Sequence, residues 1–209
     1  MTAEEFQALT GATPERMAEL ERFRVLLTEA NAVMNLVGPD SLPDFWNRHA
    51  WDSAQLLAHA GEAKTWADIG AGAGFPGVVL AILLKDQPGA MVWLIDSLQK
   101  RCRFLQTVVD ELDLPAKVVW GRAEAQAVTV DVVTARAVAP LDKLLGYAQP
   151  CLARGAQGLF LKGEKAEAEL REAARVWHVD ASLTVSRSDP RGRIVTVRSL
   201  RPRGNQHRG

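Results

Sequence analysis

The spacing of apolar positions changes once along the chain, near residue 65. Before it, Leu20, Phe23, Leu26 and Leu27 recur at helical intervals behind a helix start marked by Thr13 as N-cap and Pro14 at the first position. Ser41 and Pro43 open a second helical stretch that carries Trp46, His49, Ala50 and Leu56-Leu57. After residue 65, short apolar runs alternate with amphipathic ones. Strands are predicted at 65–69, 91–95, 117–120, 130–134 and 158–161, with helices at about 76–84, 99–112, 140–152 and 164–176. This alternation predicts an α/β fold: a mostly parallel sheet with helices on both faces. Beyond 176 the helices stop, and 176–185 and 194–199, separated by a turn-rich segment, read as a hairpin closing one edge. The 209 residues suit one α/β domain with an appendage. The expected organisation is a helical N-terminal extension at 1–60, a main domain at 61–200 and a basic, loose tail at 201–209.

The first strand runs into Trp66-Ala-Asp-Ile-Gly-Ala-Gly-Ala-Gly-Phe-Pro-Gly77. Glycines at 70, 72, 74 and 77 let a ligand lie directly on the backbone, and the helix start behind them offers unpaired N–H groups and a positive dipole end. In a doubly wound sheet the ligand lies at the carboxyl ends of the strands where strand order reverses. Two frames fit. Read from Gly72, the loop matches the dinucleotide fingerprint G-x-G-x-x-G, which would extend the strand to about Ala71. Read from Asp68, it matches the acidic-plus-glycine loop of S-adenosylmethionine (SAM) methyltransferases, with Gly70, Gly72 and Gly74 under the ligand and Asp68 near its methionine end. Asp96 ends the second strand, where a carboxylate holds ribose hydroxyls, and Glu124 follows the third, near an adenine. One acid after each of three successive strands favours SAM over NAD.

Charge adds a possible partner. Net charge is zero, yet from Arg187 onward there are seven Arg and one Asp, so the rest of the chain is acidic. A basic end suggests an anionic partner, nucleic acid being the commonest; a merely solvated tail is the plainer reading. Cys102 and Cys151 are too few for a disulfide framework or a zinc cluster, and no metal site is expected. The acidic start of the chain does not read as a signal peptide, and the longest aliphatic run, 78–84, is far short of the roughly 20 residues of a membrane span. A cytoplasmic protein without membrane contact is expected. No feature implies a protein partner, so a monomer is expected too.

Several further motifs resemble one family. Asn35-Leu36, Arg48-His49 with Asp52-Ser53, the loop through Phe75-Pro76-Gly77, Asp96-Ser97 with Lys100-Arg101, Phe104-Leu105, Ala123-Glu124, Arg136-Ala137 and Leu161-Lys162-Gly163 together resemble the RsmG family, once called glucose-inhibited division protein B. The resemblance covers about residues 35–163. Ala71 and Ala135 stand where the family commonly has a hydroxyl residue, which leaves every charge in place. The resemblance implies a class I SAM-dependent methyltransferase fold and a bacterial enzyme that forms 7-methylguanosine in 16S rRNA, on naked RNA or a small-subunit precursor. It implies cofactor contacts at Gly70, Phe75, Ala123, Glu124 and Arg136. Other readings remain a small-molecule methyltransferase, an NAD-dependent oxidoreductase and a non-catalytic RNA-binding module.

The implied chemistry needs little. Guanine N7 has a free lone pair and no proton to lose, so alignment with the methyl donor suffices without a general base. Methylation leaves positive charge on the purine, which a donor to O6 or an aromatic face would ease. Arg136 after the fourth strand and Lys162 after the fifth are the candidate catalytic residues; the alternative is that they pair with Asp68 or Glu124 as structural ions. Lys100, Arg101 and Arg103 crowd a helix N-terminus against its dipole, which RNA phosphate or the nearby Asp96, Asp110 and Glu111 would compensate. Arg48 is a further RNA candidate, and His49 reads as a structural hydrogen-bonder. Phe75 would cover the cofactor. The six Trp side chains read as core, and both Cys as structural.

Overall fold

The computed structural model describes residues 1–38, 41–126 and 128–203. Two helices open the chain, α1 (Ala3–Thr10) and α2 (Pro14–Met34), the latter capped by Thr13, whose hydroxyl accepts the Arg16 N–H at 3.4 Å. The second predicted helical stretch is less regular than its apolar spacing suggests. It begins as one wide π-helical turn, Trp46–Trp51, passes through α3 (Asp52–Ala54) and tightens into a 3-10 turn, Gln55–His59.

The alternating part of the chain gives β1 (Thr65–Ile69), α4 (Gly77–Leu83), β2 (Met91–Asp96), α5 (Gln99–Glu111), β3 (Ala116–Trp120), β4 (Val132–Arg136), α6 (Leu141–Leu152), β5 (Gln157–Lys162), α7 (Ala166–Val176), β6 (Trp177–Val185) and β7 (Arg193–Pro202). Their order is β3-β2-β1-β4-β5-β7-β6, with β1 to β5 parallel and the β6–β7 hairpin antiparallel at one edge. Strand order reverses between β1 and β4, so the carboxyl end of β1 is the switch point.

Two details differ from the sequence reading. The fourth strand starts two residues later than predicted, because Asp131 acts as its cap. One carboxylate oxygen of Asp131 accepts the Lys64 and Thr65 N–H groups and the Thr65 hydroxyl, each at 2.9 Å. Arg136 therefore lies within β4 and Lys162 within β5, not after them. The expected loose tail also begins later. Arg201 and Pro202 belong to β7, and Arg203 donates its backbone N–H to the Val176 carbonyl at 2.9 Å. Residues 204–209 lie outside the described residues.

Alternation along the strands sorts side chains onto two faces. Trp66, Leu94, Val132 and Leu161 meet α4, α5 and the N-terminal helices, while Ala67, Ile95, Val133 and Phe160 meet α6 and α7. Phe6, Leu20, Phe23 and Leu27 of the N-terminal extension are fully buried in the same cluster as Val78, Leu80 and Leu94. The extension thus shares the sheet's core. Phe23→Ala is accordingly expected to cost about 3–5 kcal/mol, with a single urea transition for the whole chain. A first transition that leaves the sheet folded would separate the two parts.

Candidate active site

The glycine loop is shaped by the side chain beneath it. Asp68 shares the parity of Trp66, so its carboxylate points under α4, where Oδ2 accepts the Gly77 N–H at 2.8 Å. A Cβ on Gly77 would stand 2.7 Å from that oxygen, so only glycine lets the helix start come this close. Asp68 is fully buried, and Oδ1 has no partner among the described residues. Burial pushes its pKa up to about 7, against the pull of the Gly77 N–H and the Arg136 charge. The structure gives Asp68 a bracing role, where the sequence reading expects contact with a ligand.

Above this brace, β1 ends at Ile69 and not at Ala71, which is the SAM frame of the loop. Gly72 has φ 55°, and a Cβ there would meet only the Gly70 carbonyl oxygen, at 3.6 Å. Bare backbone therefore faces open space. Asp96 arrives from β2: Oδ2 accepts the Gly72 N–H at 2.9 Å and Oδ1 the Leu98 N–H at 2.8 Å. Each carboxylate oxygen keeps a second lone pair for a ligand hydroxyl.

Two cavities meet over the loop, sharing Gly70, Arg101 and Ala137. The smaller, about 380 Å³, is lined by Asp96, Leu98, Ala123, Glu124 and Val138 among others. The larger, about 800 Å³, lies between the loop and the N-terminal extension and takes in Phe75, Arg136 and Lys162. An acid at the end of β2, a short turn after β3 and an uncovered glycine backbone between them fit the ribose, adenine and methionine parts of SAM.

Arg136 holds the floor of the larger cavity. It shares the parity of Val132 and so points toward the N-terminal extension. One guanidinium nitrogen donates to the Arg48 carbonyl at 2.8 Å and lies 3.3 Å from Asp52 Oδ2; another lies 2.9 Å from His49 Nδ1. The guanidinium also sits 4.7 Å from the centre of the Phe75 ring. Burial draws its pKa down from the ordinary value and Asp52 opposes this; an Arg remains a cation throughout. Because a guanidinium can only donate, His49 Nδ1 must accept, which puts the imidazole proton on Nε2. His49 stacks on Phe75 at 4.5 Å and 17°. Burial, with Arg136 and Arg48 nearby, lowers its pKa to about 3, so it stays neutral.

The remaining candidates separate clearly. Lys162 is a tie: its ammonium reaches Glu169 at 2.6 Å and the Ala139 carbonyl at 2.9 Å, and Glu169 also accepts the Leu141 N–H. Both strand-end cations are thus ion-paired, though with Asp52 and Glu169 and not with Asp68 or Glu124. Phe75 is buried among Phe23, Phe45 and His49, so it underlies the cavity more than it covers a ligand. Lys100 and Arg103 are exposed and form no ion pair among the described residues, while Arg101 lies 3.7 Å from Asp96. Asp110 and Glu111 are turned to Gln106 and Arg22. Arg48 is exposed at the rim of the larger cavity. Trp120 corrects the reading of all Trp as core: it is 63% exposed, with its indole N–H on the Ser97 carbonyl.

Asp52 was legible only as part of a motif, and the β6–β7 turn, though predicted as a turn, not as a part of the site. Asp52 Oδ1 accepts the Ser188 hydroxyl at 2.5 Å, Gln55 donates to Ser186 at 2.9 Å, and the Arg187 N–H returns to Gln55 at 2.8 Å. These contacts span more than 130 residues of sequence, so no local pattern announces them.

The family model of GidB, described as rRNA small subunit methyltransferase G, matches residues 16–191. The chain belongs to this family. Among its GidB relatives, the ribosomal RNA small subunit methyltransferase G of Caulobacter vibrioides is 57% identical over 195 residues, covering 93% of this chain and 90% of the relative. That of Caulobacter sp. strain K31 is 59% identical over 196 residues, covering 94% and 89%. Among solved structures, an O-methyltransferase from Bacillus cereus in complex with SAH superposes with a TM-score of 0.59 at 15% identity, covering 95% of this chain and 100% of that one. This likeness establishes the class I methyltransferase fold.

The buried Asp68 makes a prediction about pH. Its folded pKa, about 7, lies above the ordinary 3.8, so its contribution is fully favourable below about 3.8 and is lost as pH rises through 7. Asp68→Asn keeps an acceptor for the Gly77 N–H and never ionises. Its Tm relative to the parent is expected to rise by several degrees between pH 4 and pH 7; a constant difference would show that the carboxylate does not titrate there.

Proposed function

We propose that this GidB-family protein is a SAM-dependent methyltransferase acting on N7 of a guanine in 16S rRNA, in the decoding-centre loop of the small subunit. The observation that carries the reading is the SAM-frame glycine loop, with Asp96 on the Gly72 N–H, next to a cavity bordered by Arg48, Arg101, Arg136, Arg191 and Arg193. His49, the one histidine among the described residues lining that cavity, is neutral down to about pH 3, and its Nδ1 is taken by Arg136. Guanine N7 has no proton to lose, so methylation there asks nothing of this histidine.

When bound, SAM supplies a methyl group on a positively charged sulfonium. Gly70 and Gly72 would offer backbone to lie against, Asp96 would accept ribose hydroxyls, and Ala123 and Glu124 would border the adenine; Gly74, expected under the ligand, is instead buried against Val78 and Phe23. Arg136, fixed by Asp52 and His49, positions the cofactor and the entering base rather than shuttling protons. Lys162 supports this wall by tying β5 to α7. The exposed Lys100, Arg103 and Arg48, which form no ion pair among the described residues, favour an RNA acceptor over a small molecule, since a polyanion can use such cations; Arg101 beside them is held by Asp96.

Mass spectrometry of rRNA nucleosides is expected to show loss of 7-methylguanosine in cells lacking the protein, restored by the parent and not by Gly72→Asp, which should abolish SAM binding in calorimetry. Unchanged 7-methylguanosine would overturn the assignment. Reversing Lys100 and Arg103 to Glu should leave SAM affinity unchanged and weaken RNA binding. The slope of log affinity against log salt should fall by about 1 per lost phosphate contact; an unchanged slope would remove this helix start from the RNA interface.

A further inference from the structure

Four carboxylates line the larger cavity: Asp44, Asp52, Glu169 and Asp189. Three are satisfied by the protein. Asp52 is shared by Arg136, Ser188 and Gln55. Glu169 is shared by Lys162 and the Leu141 N–H. Asp189 accepts from the Arg191 backbone and side chain. Asp44 alone has no ion pair and no side-chain hydrogen bond among the described residues. Its backbone is nonetheless fixed, since its carbonyl accepts the Arg48 N–H at 2.9 Å at the entrance to the π-helical turn.

An anion without a partner is out of place on a cavity that would receive a polyanion and whose cations are Arg48, Arg101, Arg136, Lys162, Arg191 and Arg193. It repels phosphate unless it meets a donor. We infer that Asp44 reads the Watson–Crick edge of the target base, accepting from N1–H and the N2 amino group of guanine; this rests on the guanine-N7 reading above. The chemistry of the purine supports the assignment. N7 belongs to the five-membered ring, and N1 and N2 lie on the far edge of the six-membered ring. A guanine that presents N7 to a methyl donor therefore turns two N–H donors away from it, and these need an acceptor with two oxygens. Adenine presents a lone pair at N1 and no amino group at C2, so the same carboxylate repels it. Asp44 is thus a specificity-determining residue, reached from the N-terminal extension and not from the sheet.

The test compares the parent with Asp44→Asn and Asp44→Ala on small ribosomal subunits from cells lacking the enzyme, and on the same subunits rebuilt with inosine, which lacks the N2 amino group, at the target. SAM affinity measured by calorimetry is expected to stay within about twofold, showing an intact fold and cofactor site. On guanine, kcat/KM is expected to fall about 10- to 100-fold in both variants. The parent should lose a smaller factor on inosine, which keeps N1–H, while the variants lose little more, because the carboxylate that would meet the N2 amino group is already gone. Parent-like kcat/KM in Asp44→Asn, or an equal inosine penalty in all three proteins, would overturn the inference. So would a large loss of SAM affinity, which would set Asp44 against the cofactor's ammonium group. If the parent itself forms no 7-methylguanosine on these subunits, the guanine-N7 reading fails instead.

Discussion

The site depends on one carboxylate, Asp52. Through Oδ2 it meets Arg136 at the end of β4, and through Oδ1 it takes the Ser188 hydroxyl from the β6–β7 turn and the Gln55 amide from its own segment. Three parts of the chain that are distant in sequence therefore close on one side chain: the N-terminal extension, the sheet and the edge hairpin. Arg136 is buried enough that its charge must be compensated, and a buried cation left without its partner costs about 3–5 kcal/mol. The pairing orients the guanidinium, which in turn sets the tautomer of His49 and lies over Phe75. The wall between the glycine loop and the larger cavity follows from that chain of contacts.

Two buried titratable groups flank this wall with opposite consequences. His49, lowered to about 3, favours the fold above its ordinary pKa of 6.5 and loses that support as pH falls toward 3. Asp68, raised to about 7, favours the fold most in acid and loses that support as pH rises through 7. Between about pH 4 and pH 6.5 the two trends oppose each other. Both shifts come chiefly from burial, so the polar groups that shape the loop and the cavity wall are held there at a cost in stability.

Much of the fold could be read from local patterns. β1 has its predicted limits because Asp131 and the glycine loop punctuate it at either end, and the parallel sheet follows from the alternation of apolar runs with amphipathic helices. The positions of Asp96 and Glu124 were legible because an acid at a strand's carboxyl end falls at the mouth of such a sheet wherever its side chain points. The direction of Asp68 was not, since it depends on strand parity and on how closely Gly77 packs. Nor was the difference between Arg136 and Lys162: their motif settings look alike, but they end adjacent strands on opposite faces and meet Asp52 and Glu169 respectively.

The sequence by itself determined the fold class, the glycine loop and its reading frame, and the family to which the chain belongs, because these rest on short motifs and on their order along the chain, which need no knowledge of tertiary contacts. Only the tertiary structure decided which charges are spent and which remain free. Asp52, Glu169 and Asp189 are consumed by partners, Asp44, Lys100 and Arg103 form no ion pair among the described residues, and nothing in their local sequence distinguishes the two groups. A charge is neutralised by whatever the fold brings within a few ångströms of it, and for Asp52 and Ser188 that neighbour lies 136 residues away.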